Sequence, residues 1–153
     1  MLNEDYKEML RLLIEEKVKF LLVGAYAVAA HGYPRATMDI DIWVMPSSEN
    51  AFAVLKALKR FGAPLHNLTL DDLKKPDIIF QIGVAPRRID IITGVDGLNF
   101  KSAYANSLEI EIEGLKINIP SLDDLICNKK ASGRTKDIAD AEALELLKEQ
   151  EDQ

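Results

Sequence analysis

A chain of 153 residues can bury one real core, and its 48% hydrophobic and 29% charged content is that of an ordinary soluble globular protein. No apolar run reaches the ~18 residues a membrane-spanning helix needs, and Glu4, Asp5 and Glu8 break the pattern of a signal peptide. The net charge of -6 argues against general nucleic-acid affinity while leaving room for a local basic site, and the lone Cys127 excludes an internal disulfide, fits a reducing cytoplasm and reads as a small buried apolar residue.

Asn3 reads as the N-cap of a first helix to about Glu16, with Met9, Leu12 and Leu13 at helical spacing. Lys19–Val23 follows as a short apolar strand. Ala25–His31 is a small-residue helix that stops at Gly32, which suits the left-handed position after a helix. Pro34 disfavours a helical Tyr33, so a loop leads into a second strand over Asp39–Met45. Ser47 or Ser48 caps a helix to about Phe61, with Phe52, Leu55, Leu58 and Phe61 as its apolar face. Leu68–Leu73 is a short helical turn. Ile78–Gly83 and Arg88–Thr93 read as two strands joined by a turn. Ser107–Glu113 and Leu115–Ile119 form a hairpin whose alternation predicts one wet face at a sheet edge. Ser121 with Asp124 resembles a capping box for a helix to about Ala131. After the Ser132-Gly133 break a last helix runs from about Lys136 to Lys148, with residues 149–153 frayed. These elements predict a single α/β (α+β) domain over residues 1–153, a mixed β-sheet flanked by helices.

The chemistry concentrates in the second strand. Residues two apart in a strand share a face, so Asp39 and Asp41 project together while Met38, Ile40 and Ile42 point to the core. Two like charges so close call for a positive partner, and a divalent metal fits best. Asp90, between Ile89 and Ile91, repeats the pattern; its plain explanation is an exposed strand position or a partner for Arg87 or Arg88. Beside Asp39 and Asp41 it completes a set of three carboxylates suited to two magnesium ions, with manganese able to replace them. One ion would hold a triphosphate and the other would acidify an attacking hydroxyl, whose proton Asp90 would accept. Gly24 would let the chain turn close to the phosphates, and Ala25 would open a helix whose N–H groups face them. The guanidinium of Arg35 suits phosphate or acceptor binding, with Thr37 steadying its loop. His31 reads as a helix-end cap or packing residue, His66 as surface, Trp43 as core or rim, and Tyr26 and Tyr33 as packing or loop anchors.

A hydrophobic strand, Gly24, a short helix, Asp39-Ile40-Asp41 and a later Asp90 resemble the polymerase-β-like nucleotidyltransferase superfamily. The order Gly32, Tyr33, Arg35, Thr37, Asp39, Asp41 is similar to small bacterial and archaeal members, among them the nucleotidyltransferases of toxin–antitoxin and abortive-infection systems. Lys129 followed by Arg134, Lys136, Asp137 and Asp140 resembles the closing helices of that family. The resemblance spans about Phe20 to Leu144 and implies the polymerase-β-like fold. It also implies transfer of a nucleoside monophosphate from a nucleoside triphosphate to an acceptor hydroxyl, with release of pyrophosphate. Asp39, Asp41 and Asp90 would be the metal-binding and catalytic residues. Gly24, Ala25, Arg35, Thr37 and Lys129 would bind the nucleotide. Ala25 departs from the Gly or Ser of the pattern, and a hydroxyl contact to phosphate is lost with it. A catalytically degenerate nucleotide- or protein-binding module, such as a toxin–antitoxin component, is the competing expectation. The acceptor is an RNA end, a protein or a small molecule, with a small acceptor, a homodimer cleft or a partner subunit as the ways to complete its site; no membrane partner is expected.

Overall fold

The computed structural model describes residues 2–33, 39–84 and 86–152. The expectations for Arg35 and Thr37 lie outside the described residues. Thirteen elements are assigned among the described residues: α1 Glu4–Glu15, β1 Phe20–Val23, α2 Gly24–Ala30, β2 Ile40–Val44, α3 Ser48–Phe61, α4 Leu70–Lys74, β3 Ile79–Ile82, β4 Ile89–Ile92, α5 Phe100–Ala105, β5 Leu108–Ile112, β6 Leu115–Ile119, α6 Leu122–Ser132 and α7 Thr135–Glu151.

The helix boundaries follow local chemistry. The side chains of Asn3, Ser47 and Ser121 accept from the backbone N–H groups of Tyr6, Asn50 and Asp124, which would otherwise be orphaned. At the other end of α3 and α6, Gly62 and Gly133 take left-handed conformations.

Four strands form a mixed sheet in the order β1-β2-β4-β3. β1 and β2 are antiparallel, β2 and β4 parallel, and β4 and β3 antiparallel. One face, carrying Leu22, Ile40, Ile42, Ile89 and Ile91, is buried in the main core together with Met9 and Leu13 of α1 and Val54 and Leu58 of α3. The other face carries Leu21, Val23 and Trp43, covered by Phe100 and Ala103 of α5. Trp43 meets Phe100 edge to face at 5.1 Å between ring centroids. Asn50 ties α3 to the sheet: its carbonyl oxygen accepts from Lys19 N (2.7 Å), and its amide donates to the carbonyls of Lys19 (3.0 Å) and Met45 (2.9 Å).

Five expectations are corrected. The buried face of α3 runs through Ala51, Val54, Ala57 and Leu58, and Phe52 is 62% exposed, because the small Ala side chains allow close approach to the core. The β5–β6 hairpin does not extend the main sheet; it forms its own two-stranded sheet, with β6 beside β1 and Ile117 and Ile119 buried in the main core. Cys127 is exposed, its thiol near the Gly97 carbonyl at 3.5 Å. Helix α7 continues to Glu151 where fraying was expected. Helix α5, capped by Asn99, falls where no element was expected. No helix among the described residues is long and apolar enough to cross a membrane.

Candidate active site

Parallel pairing of β2 with β4 sets Asp41 directly opposite Asp90. Across the other edge of β2, Asp41 faces Val23, the last residue before Gly24. Asp39 lies one residue before β2 and is reached through Arg88. The Arg88 guanidinium makes a forked contact with Asp90, Nε to Oδ1 at 2.7 Å and Nη2 to Oδ2 at 3.1 Å. Its Nη2 lies 3.4 Å from Asp39 Oδ2, and its backbone N–H donates to Asp39 Oδ1 at 2.9 Å. From α1, the Tyr6 hydroxyl donates to the Arg88 carbonyl at 3.3 Å, and burial pushes the Tyr6 phenol up to about 12. The backbone at the start of β4 is thereby fixed from both sides.

Asp41 receives less compensation. Burial first, then the negative charge of Asp90, push its carboxyl up to about 6 from 3.8, and Arg88 opposes this only in part. Gly24, with φ +68°, makes the site possible: a Cβ there would lie 2.3 Å from Asp41 Oδ2. The glycine thus leaves room for the carboxylate itself.

A cavity of about 520 Å³ opens over this face, lined by Gly24, Asp41, Arg88 and Asp90 from the sheet side and by Lys129, Arg134, Lys136 and Asp137 from α6, α7 and the turn between them. Its size suits a nucleotide-sized ligand. Ala25 and Asp39 do not line it. Gln81 of β3 and Asp96 and Asn128, which do, carry no pattern that sequence reasoning could single out. The Asp96 loop is pinned to α6: Asn128 donates to the Asp96 carbonyl (2.9 Å) and Ser132 to its carboxylate (3.1 Å). A second cavity, of about 470 Å³, lies beside Trp43, Thr93 and Phe100 and meets the first at Val95; it holds none of the three carboxylates.

Lys129 reaches the cavity wall but is already engaged. Its Nζ lies 3.2 Å from Asp140 and 3.6 Å from Asp137, both buried, so it clamps α6 to α7. Burial acts to raise the Asp137 carboxyl, but the hydrogen bond from Arg134 at 2.6 Å and the charges of Arg134 and Lys129 hold it below the usual range. Lys129→Met should therefore cost about 3 kcal/mol, since removing one partner leaves buried carboxylates uncompensated. Denaturant unfolding would read this as a lower midpoint; an unchanged midpoint would show that Lys129 carries no structural role. The remaining residues behave as packing. The His31 ring sits 2.8 Å from the Pro120 carbonyl, Tyr26 stands edge-on to Tyr6, and His66 is exposed.

The DUF6036 family, described as a nucleotidyltransferase of unknown function, matches residues 1–151. The chain belongs to this family. No curated protein matches the sequence. Among solved structures, a nucleotidyltransferase candidate from Thermotoga maritima is similar with a TM-score of 0.58 at 18% identity, covering 98% of this chain and 96% of that one. The solution structure of the antibiotic-resistance factor ANT(2'')-Ia is similar with a TM-score of 0.56 at 16% identity, covering 94% of this chain and 86% of that one. At these identities the likeness is one of fold, and it places the mixed sheet and its flanking helices among nucleotidyltransferase folds.

The donor set is right for a hard divalent cation, and the glycine cradle at Asp41 is one that a Cβ would fill. Yet no three His, Cys, Asp or Glu side chains among the described residues converge to hold an ion. Both Asp90 oxygens are turned to the Arg88 guanidinium.

Proposed function

We propose that this chain is a single-domain, metal-dependent nucleotidyltransferase that moves a nucleoside monophosphate from a nucleoside triphosphate to an acceptor hydroxyl. One observation carries the reading: Asp41 and Asp90 are paired across adjacent strands in the lining of a cavity that Lys129, Arg134 and Lys136 also line. Asp39, Asp41 and Asp90 would hold magnesium, or manganese in its place. Two such ions, when bound, supply the charge that neutralises the triphosphate and acidifies the attacking hydroxyl. The acceptor oxygen forms a bond to the α-phosphorus, the bridging α–β bond breaks, and pyrophosphate leaves. Asp90 takes the hydroxyl proton on a carboxylate oxygen. Gly24 keeps Asp41 close to the turn into α2, and Arg134 and Lys136 draw the anionic substrate into the cavity. Arg35 and Thr37 retain their proposed part in phosphate binding, as do the backbone of Ala25 and the charge of Lys129. Acceptors of suitable size are an RNA end, a protein side chain or a small molecule, completed by a second copy or a partner subunit where the cavity opens.

Thermal unfolding with each of the four nucleoside triphosphates and magnesium tests this. A ligand at about 100 times its dissociation constant should stabilise the fold by ~2.7 kcal/mol. That gain should need magnesium and disappear in Asp39→Asn. Absence of any gain would remove the reading. A second reading, a degenerate module that binds nucleotide or a protein partner, with a toxin–antitoxin role among its forms, is favoured by the hold of Arg88 on Asp90. A magnesium-dependent gain with no transfer of labelled α-phosphate to any acceptor would select it.

A further inference from the structure

Two carboxylates brought close in a folded protein repel unless positive charge lies between them, and between Asp39 and Asp90 one side chain supplies it. Arg88 grips both oxygens of Asp90, at 2.7 and 3.1 Å, and touches Asp39 at 3.4 Å. A guanidinium fork of this kind uses the same lone pairs that a divalent cation would. We propose that Arg88 is a displaceable counter-ion: it bridges Asp39 and Asp90 in the metal-free state, and it must leave Asp90 before a divalent cation binds there. The inference rests on the reading of Asp39, Asp41 and Asp90 as a cation site.

The geometry allows such a movement. The Arg88 backbone is anchored, its N–H on Asp39 and its carbonyl on the Tyr6 hydroxyl. Its side chain is 30% exposed and lines the cavity of about 520 Å³. Rotation of the side chain alone frees Asp90 and leaves the backbone in register. The guanidinium then stays within the cavity, where a planar, permanently charged fork suits phosphate oxygens. Cation loading and anion binding would be coupled through one residue: the cation releases Arg88 from its carboxylates, and a phosphate gives it a new partner. Arg88 is in this sense a positioning residue, acting on the metal ligands.

Manganese titration without nucleotide, followed by the resonance of free Mn²⁺, tests the competition in the wild type, Arg88→Gln, Arg88→Lys and Asp90→Asn. Arg88→Gln removes the competing charge and should bind Mn²⁺ on the order of tenfold more tightly than the wild type, the size of an ordinary coupling between two ligands of one site. Arg88→Lys keeps a charge but cannot fork both oxygens, so its affinity should fall between the two. Asp90→Asn should bind more weakly than the wild type. In chelator, Arg88→Gln should melt below the wild type and recover on adding Mn²⁺. Equal or weaker Mn²⁺ binding by both Arg88 variants, with Asp90→Asn still weakening it, would overturn the counter-ion role and leave the cation site standing. Should Arg88→Gln fail to fold in chelator, Arg88→Lys decides by the same comparison. No Mn²⁺ binding at millimolar concentration by any folded protein of the set would remove the cation site and this proposal together.

Discussion

Gly24→Ala should lower stability by roughly 3 kcal/mol, and about half of that loss should vanish when Asp41 is also truncated. Two costs combine at this position. The backbone holds φ at +68°, a left-handed conformation that costs an L-residue about 1–2 kcal/mol. The new Cβ would also sit 2.3 Å from Asp41 Oδ2 and 3.2 Å from its Cγ, far inside contact distance. Either the carboxylate swings away or the turn between β1 and α2 shifts. In a chain of this size ~1 kcal/mol moves the melting midpoint by ~2–4 °C, so a fall of roughly 6–12 °C is expected. Asp41→Ala removes the Oδ2 and Cγ atoms and leaves the backbone cost, so Gly24→Ala in that background should cost only about 1–2 kcal/mol. The difference between the two backgrounds measures the crowding of glycine and carboxylate. An identical cost in both would show that the glycine answers to backbone conformation alone and has no part in seating Asp41.

That contact shows how far the sequence could be read. The spacing of Asp39 and Asp41, and the strand pattern around Asp90, were enough to expect three carboxylates on neighbouring strands, because strand periodicity is a local property. The register then sets Asp41 against Asp90 and leaves Asp39 one residue outside β2. Gly24 was legible as a turn residue, but the atom it makes room for was not, since that contact depends on the antiparallel pairing of β1 with β2. Arg88 was legible only as an ordinary partner for Asp90; its reach to Asp39 requires the chain 49 residues earlier to lie alongside. Lys129 shows the same limit. The family resemblance implied a cation reaching toward phosphate, while its buried partners Asp137 and Asp140 lie across the Gly133 turn on the next helix. Helix α5 was missed because six residues are too few for a periodic signal, although Asn99 caps it in the usual way. The apolar face of α3 was placed on the large Phe52, whereas close packing selected the stripe through Ala51 and Ala57.

Asp41→Asn should separate stability from activity more sharply than any other substitution. With metal chelated, burial and the neighbouring Asp90 push the Asp41 carboxyl up to about 6 from 3.8. The native state then binds this proton more tightly than the unfolded chain does. Stability must fall as pH rises from about 4 to about 6 and stay at the lower level above that, the reverse of a salt-bridged carboxylate. The ionised, half-buried Asp41 therefore costs stability at neutral pH, on the order of 1–2 kcal/mol after allowance for its contact with solvent. Asparagine has nearly the same shape and no charge, so the variant should be more stable than the wild type at pH 7 by that amount and equal to it near pH 4. Nucleotidyl transfer should meanwhile drop by at least ~10²–10³-fold, the usual loss when a group that stabilises developing charge is removed. Chemical denaturation at pH 4 and pH 7 in chelator, paired with transfer of labelled α-phosphate in magnesium, reads both effects. A variant less stable than the wild type at pH 7 would mean that the ionised carboxylate is held by favourable contacts, against the environment described for it. Full transfer activity in a more stable variant would mean that the chemistry occurs without Asp41, and the assignment of the triad would fall with it. The expected pairing, stability gained and activity lost, is what a site kept charged for function produces: Arg88 relieves only part of the repulsion between Asp41 and Asp90, and on the proposed reading a bound cation would relieve the rest.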